Sequence, residues 1–200
     1  MTTLARALVM ATMACQVAGS ADHLHLAAIR CQTRLVEAIL DHDASLVNRD
    51  LHFGRTALFF IIESGLCPDE ATREDLVQNL IARGASVHVR QRNVDLTPLH
   101  YAAFYHQAGV AEILLRAEPL LATATDFLGR HVLHFAIWPN QGVSSSEEFR
   151  LPLFRLFSDT LPVLFDMPSL CPSFPSPRTT ARLLGYKRVE RLFNASRWVH

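Results

Sequence analysis

The sequence predicts an all-α fold in which pairs of short helices recur along the chain. A Leu-His core recurs in clear or blurred form at Leu24–Ala28, Thr56–Phe59, Leu99–Ala103 and Leu133–Ala136. The first and second copies are 34 residues apart, and so are the third and fourth. A second apolar pattern, spaced i, i+1, i+4, i+5, follows the first three cores at Leu35, Leu76 and Val110. A fixed period of this length, with helical spacing inside it, indicates stacked helix pairs.

The third copy shows why a helix begins there. Thr97 carries a hydroxyl that caps a helix. Pro98 then takes the first helical position, where its missing N–H costs nothing. Leu99, Ala102 and Ala103 form an apolar face, and the small alanines allow a neighbouring helix to approach closely. We therefore expect a buried first helix here, followed by the helix of the second pattern.

The turn before each first helix needs a residue with a positive φ angle. Gly54 and Gly129 stand two residues before the second and fourth first helices, and Asp95 holds that place in the third copy. Glycine adopts a positive φ without strain, and Asp is one of the few other residues that tolerate it. We therefore expect a tight turn at each of these three positions.

The second copy has a longer connection between its two helices. The interval from Leu58 to Leu99 is 41 residues rather than 34. The excess lies at Gly65–Thr72, which its Gly and Pro residues predict to be a loop.

These residues resemble the ankyrin repeat family. The family pattern is roughly Asp-x-x-Gly-x-Thr-Pro-Leu-His-x-Ala-Ala, then Gly, an aliphatic helix and Gly-Ala-Asp. Thr97–Ala103, Asp126–Arg130 and Gly84–Val87 fit this pattern well. In the second copy Phe59 replaces the family's His and Ile61-Ile62 replaces the paired alanines, so we expect looser packing there. The resemblance covers about residues 20–138, and more faintly 176–195, where the spacing returns after Ser176-Pro177.

The resemblance implies an ankyrin-repeat solenoid of about four to five repeats, built from helix-turn-helix pairs with loop or β-hairpin tips. It divides the chain into a capping helix or signal-like segment (1–20), ankyrin repeats (21–138), an irregular insertion or linker (139–175) and a degenerate terminal repeat (176–200). It also implies a structural role for His25, His100 and His134, because the family's His hydrogen-bonds neighbouring backbone and joins the repeats.

Two segments each permit two interpretations. Residues 1–20 carry an apolar helical face that suits a capping helix, but the uncharged run Ala7–Ala18 followed by Gly19-Ser20-Ala21 also resembles a secretory signal. In 139–175, Ser145 and Glu148 form a capping box, so we expect a short helix that carries Leu153, Phe154, Leu156 and Phe157. The Phe and Leu side chains that follow either cover the last strong repeat or form a short docking motif. We expect the cap, because cleavage there would leave Asp22 next to the first repeat helix and remove the cover of that helix. For 139–175 we expect the buried alternative, since large exposed apolar patches are uncommon.

The resemblance implies a non-enzymatic protein–protein interaction module that binds on its concave surface, at the loop tips and the exposed side of the first helices. The tip residues expected to contact a partner are Arg49, His52, Arg55, Arg90, Arg92, Asn93 and Arg130. Arginine exceeds acid at these tips, and its planar fork binds carboxylates bidentately. We therefore expect an acidic protein segment as partner, with a solvated loop row of no partner preference as the alternative.

Composition and motifs exclude several other classes. The formal net charge of zero argues against a nucleic-acid partner, and charges and prolines interrupt the apolar run Leu151–Leu170, so we expect no membrane span. No phosphate loop, nucleophile elbow or metalloprotease motif occurs, and the histidines lack partners at metal-ligand spacing. We expect no catalytic residue, metal or cofactor.

The cysteines bear on the compartment. Cys15, Cys31, Cys67 and Cys171 show no CxxC and no regular spacing, and are interpreted as free thiols in a reducing compartment. We therefore expect a cytoplasmic, or else nuclear, monomer. The alternative is a secreted or effector protein with a cleaved N-terminal signal.

A second basic cluster lies near the C-terminus, and its members are Arg178, Arg182, Lys187, Arg188, Arg191 and Arg197. We interpret it as the polar outer face of a terminal helix, with contact to an anionic partner as the alternative.

Overall fold

The computed structural model describes residues 21–137, 147–160, 162–169 and 174–195. The chain divides into two compact units, Met1–Val89 and Arg90–His200. Helices and short 3-10 turns make up the regular structure of the described residues, with isolated antiparallel bridges between Leu51 and Arg55 and between Thr125 and His131. The prediction of an all-α fold is confirmed. The predictions for residues 1–20, Ser145 and Arg197 lie outside the described residues.

The N-terminal unit contains two helix pairs within the described residues. Helices α1 (Ala21–Ile29) and α2 (Thr33–His42) form the first pair, and α3 (Ala57–Glu63) and α4 (Glu70–Ala82) form the second. α1 packs against α2 and α3, and α3 packs against α4. The core contains Phe59, Ile61 and Ile62, for which the sequence predicted looser packing; all three are completely buried, so the larger side chains are accommodated.

The connection between α3 and α4 is shorter than the sequence predicted. Gly65–Thr72 was expected to be loop, but α4 already begins at Glu70. Asp69 sets this start, because its carboxylate accepts a hydrogen bond from the Thr72 amide at 2.6 Å. The Ser64 hydroxyl donates to the Ile29 carbonyl and so ties the connection to the end of α1.

The same connection carries a disulfide. Cys31, just after α1, is joined to Cys67, and their Cα atoms are 5.0 Å apart, a separation that disulfides commonly span. The prediction of free thiols is therefore wrong for these two cysteines. Cys15 and Cys171 lie outside the described residues. The sequence hides the pairing because 36 positions separate the two cysteines and no motif links them.

The C-terminal unit contains three helix pairs within the described residues. They are α5 (Pro98–Phe104) with α6 (Ala108–Ala117), α7 (Val132–Ile137) with α8 (Glu147–Thr160), and α9 (Pro177–Leu183) with α10 (Lys187–Ala195). The first helices pack in the order α5, α7, α9, and the second helices pack in the order α6, α8, α10. Each pair therefore buries its apolar face against the next pair within this unit.

Helix α8 lies where the sequence of the 139–175 segment predicts a short helix. Residues 147–160 form a continuous helix despite Pro152. This proline lies in the second turn, where it removes a single intrahelical N–H donor. Leu153, Phe154 and Phe157 are completely buried. The buried alternative therefore holds for these side chains.

The three predicted turn residues have positive φ angles, and two arginines of the C-terminal basic cluster form ion pairs. Gly54, Gly129 and Asp95 have φ angles of +80°, +71° and +59°, as predicted. Arg178 pairs with Asp166 at 2.5 Å, and Arg188 pairs with Glu148 at 2.5 Å. Arg182, Lys187 and Arg191 are exposed on the terminal helix pair. None of the described helices is both long and apolar enough to cross a membrane.

Candidate functional site

The predicted tip residues fall in both units. In the N-terminal unit, Arg49 is exposed and follows the 3-10 turn Ala44–Asn48. The backbone of His52 belongs to the 3-10 turn His52–Gly54, but its side chain lies outside the described part of the chain.

Arg55 lies at the base of the same tip and is largely enclosed. Its guanidinium pairs with Glu63, at the end of α3, and stands 4.5 Å from the centre of the Phe60 ring. The Arg55 side chain is only 18% exposed. This arginine therefore offers less free surface than its position in the sequence predicted.

Arg90 joins two tips of the C-terminal unit. Its Nη1 atom donates to the Asp95 carboxylate at 2.6 Å, to the Asp95 carbonyl at 3.1 Å and to the Thr125 carbonyl at 2.9 Å. Arg92 and Asn93 are exposed in the loop between Arg90 and Asp95. The loop is thus fixed at its base and presents polar side chains at its end.

Arg130 belongs to the next tip and has a buried partner. The Asp126 side chain is completely buried and pairs with the Arg130 guanidinium at 2.6 Å. The same carboxylate accepts hydrogen bonds from the backbone amides of Leu128 at 3.0 Å and Arg130 at 2.8 Å. Asp126 therefore sets both the turn and the direction of the arginine.

Both units contain an arginine that lies over a phenylalanine of the first helix that follows it. Arg55 lies over Phe60, and Arg130 lies over Phe135 at 4.6 Å, so the two residues are five positions apart in both cases. A histidine meets each ring edge-on: His25 lies 5.1 Å from Phe60 and His100 lies 5.2 Å from Phe135, measured between ring centres. Both phenyl rings are only partly buried. Each unit therefore presents an aromatic side chain beside an arginine.

In the C-terminal unit a second ring lies on Arg130. The Phe174 ring centre is 4.7 Å from the guanidinium carbon, so the guanidinium contacts both Phe135 and Phe174. His131 Nε2 lies 3.2 Å from the carbonyl oxygen of Met167, in the same stretch of chain as Phe174. A cavity of about 100 Å³ remains beside these rings, lined by Phe104, Arg130, His134, Phe135 and Phe174.

The first three helix pairs match a known protein family. Residues 24–119 match the family model for ankyrin repeats, in three copies. This part of the chain consists of ankyrin repeats. The match spans α1 to α6, and α7 to α10 continue the pattern of helix pairs beyond it. A comparison with curated proteins found no match to the chain.

Ankyrin repeats are generally protein–protein interaction modules, and the family is typically non-enzymatic.

The buried histidines fit a structural role. Burial lowers the pKa of His100 to about 4, while hydrogen bonding with the Arg130 backbone acts in the opposite direction. Burial likewise lowers the pKa of His131 to about 3 and of His134 to about 4. Across the described residues, no group of three or more His, Cys, Asp or Glu side chains is arranged to hold a metal ion.

Sequence reasoning missed the aromatic part of the site. Phe60 and Phe135 were not predicted to contact a partner, and neither was Phe174. A signal for the first two was present, because Gly-Arg is followed by Phe after the same interval at Gly54–Phe60 and Gly129–Phe135. Phe174 had no such signal, since its contact with Arg130 depends on how the chain folds back after α8.

Proposed function

We propose that this ankyrin-repeat chain is a non-enzymatic, monomeric protein-binding module that takes an acidic segment of its partner at the repeat tips. The observation that carries the proposal is the Arg90–Asp95 pair. Its N–O distance is 2.6 Å, and the two side chains are 39% and 47% exposed. A pair this exposed contributes little to stability, so a carboxylate of a partner can replace Asp95 at small cost.

The surroundings of this pair support the same proposal. Arg92 and Asn93 are exposed beside it. In the N-terminal unit, Arg55 already binds a carboxylate that is 39% exposed, that of Glu63. Charge-assisted hydrogen bonds from arginine to carboxylate are shorter and stronger than neutral ones. Arg130 is a weaker candidate for this role, because its carboxylate partner is completely buried.

The experiment measures binding of labelled Glu-rich peptides and matched Gln-rich peptides by fluorescence anisotropy at low and high salt. Arg92→Ala and Arg49→Ala are the informative variants, because replacing Arg90 would also release the contact with Thr125. Arg116→Ala is the matched control, since Arg116 is an exposed arginine on α6 that pairs only locally with Glu112. We expect preference for the Glu-rich peptides, weakened in Arg92→Ala and unchanged in Arg116→Ala. Equal binding of both peptide types would refute the acidic-partner proposal.

A second candidate function is that of a secreted or effector ankyrin protein with a cleaved N-terminal signal. The Cys31–Cys67 disulfide favours it, because structural disulfides are typical of oxidising compartments. The reducing compartment was expected because the cysteines were interpreted as free thiols, and this disulfide contradicts that interpretation for Cys31 and Cys67. The signal-like composition of residues 1–20 fits this candidate. Intact-mass measurement and N-terminal sequencing of the mature protein decide between them: a start near residue 21 with the disulfide oxidised supports export, and an intact N-terminus contradicts it.

A further inference from the structure

The two rings on Arg130 differ in where they come from. Phe135 lies on α7 and is part of the repeat. Phe174 comes from the stretch between α8 and α9, and it reaches the repeat from outside. The contact is therefore made by a segment laid over a repeat rather than by the repeat itself.

This segment touches the repeat with both a side chain and the backbone. Phe174 contributes the ring, and the Met167 carbonyl lies 3.2 Å from His131 Nε2. His131 Nδ1 accepts a hydrogen bond from the Leu133 amide at 3.4 Å, so its proton is on Nε2 and is donated to Met167. The segment therefore contacts the repeat through one aromatic ring and one backbone carbonyl. An extended peptide that contains an aromatic residue can make the same two contacts.

The segment is anchored at its ends and does not fill the site. Asp166 pairs with Arg178, and Ser176 caps α9 through the Thr179 amide at 3.4 Å. Phe174 is only partly buried, and a cavity of about 100 Å³ remains beside its ring. That space is lined largely by aromatic side chains, so a larger ring gains contacts there that phenylalanine does not make.

We propose that the surface formed by Arg130, Phe135, Phe104 and His134 is a docking site for an aromatic side chain of an extended partner segment, and that Phe174 is its resident competitor. The arginine holds the partner's ring by cation–π contact, and His131 holds a backbone carbonyl next to it. The proposal rests on the protein-binding function proposed above. Its test, however, involves neither acidic peptides nor the exposed tip arginines, so either proposal can fail alone.

The test supplies the chain's own segment in trans. The probe is a labelled peptide with the sequence of residues 166–176, carrying serine in place of Cys171, and it is titrated to about 1 mM, the effective concentration that a short tether provides. The protein is the full chain with Phe174→Ala, which vacates the site. We expect this variant to bind the peptide at least about tenfold more tightly than wild type, because a tenfold difference corresponds to about 1.4 kcal/mol, which is within the range of one cation–π contact.

Three comparisons assign the binding to this surface. An otherwise identical peptide with Ala at the Phe174 position should lose binding, and a Trp peptide should bind more tightly than the Phe peptide. Adding Phe135→Leu to the Phe174→Ala chain should abolish binding while keeping an apolar residue in the helix. Adding Phe127→Ala instead is the control, because Phe127 is 59% exposed at the hairpin tip and lies outside the cavity lining.

Several outcomes overturn the proposal. Equal peptide binding by wild type and Phe174→Ala means that Phe174 does not compete for the site. If the peptide still binds after Phe135→Leu, it binds elsewhere on the protein. If the Trp peptide binds more weakly than the Phe peptide, the partner's ring does not occupy the cavity. Dimerisation of wild type that is lost in Phe174→Ala assigns the site to a second copy of this chain rather than to a partner.

Discussion

Thr97 and His100 form a reciprocal cap at the start of α5. The Thr97 amide donates to His100 Nδ1 at 3.2 Å, and the Thr97 hydroxyl lies 2.8 Å from the same nitrogen. Both side chains are buried. Because Nδ1 accepts from the amide, the ring proton is on Nε2.

Thr97→Ala is expected to lower the free energy of unfolding by about 1–2 kcal/mol, since it removes a cap at a buried helix start. Thr97→Ser keeps the hydroxyl and should retain most of the stability. Urea unfolding followed by circular dichroism at 222 nm measures both variants. Equal stability of the Ala and Ser variants would show that the hydroxyl contributes nothing.

Stability is expected to fall as the pH drops from 7 towards 4. Burial lowers the pKa of His106 and His131 to about 3 and that of His100 and His134 to about 4. The unfolded chain therefore binds more protons than the folded chain between about pH 6.5 and the folded-state pKa values. Within this window each such histidine reduces the free energy of unfolding by up to about 1.4 kcal/mol per pH unit.

Urea unfolding at pH 7 and pH 5 tests this sign. His106→Asn is the comparison variant, because Asn tolerates the φ of +56° at this position and does not titrate. Its stability should depend less on pH than that of wild type. Equal wild-type stability at both pH values would mean that the buried rings protonate without cost.

Asp126→Asn is expected to cost about 2–3 kcal/mol, because a completely buried carboxylate with charge-assisted hydrogen bonds is replaced by an amide. Asp95→Asn is the matched control, with a carboxylate that is 47% exposed and an expected cost below about 1 kcal/mol. Asn also tolerates the positive φ of Asp95. Chemical denaturation ranks the two variants, and equal costs would contradict the structural role given to Asp126.

Reduction of the Cys31–Cys67 disulfide is expected to destabilise the N-terminal unit by about 3–4 kcal/mol, because a loop of this length is costly to close in the unfolded chain. Thermal unfolding with and without a reductant measures the effect. The double variant Cys31→Ser/Cys67→Ser should unfold at the lower temperature in both conditions. If the melting temperature of wild type is the same with and without the reductant, the disulfide does not contribute to stability.

The helix pairs could be predicted because their signals are local. The cap and proline at Thr97-Pro98, the turn residues and the apolar spacing all act within one repeat. Helix α8 could be predicted as a short helix because the capping box at Ser145 and Glu148 is a local signal as well. Its continuity through Pro152 has no such signal, since it depends on the tertiary packing of Phe154 and Phe157.

The candidate site was less predictable than the fold. The sequence marked Arg55, Arg90 and Arg130, but it could not indicate that each already binds a carboxylate of the same unit. Which carboxylate an arginine reaches depends on tip geometry. The disulfide and the contact between Phe174 and Arg130 join residues that are distant in the chain, so no local sequence pattern predicts them.

The anchoring of Arg130 by Asp126 has a consequence for selectivity. The guanidinium keeps its position whichever ring rests on its outer side, because a sequestered carboxylate and two main-chain amides fix the hairpin that carries it. One aromatic group can then replace another without reorganising the receptor. Discrimination among competing segments would follow from the dimensions of their rings and not from any induced fit of the repeat.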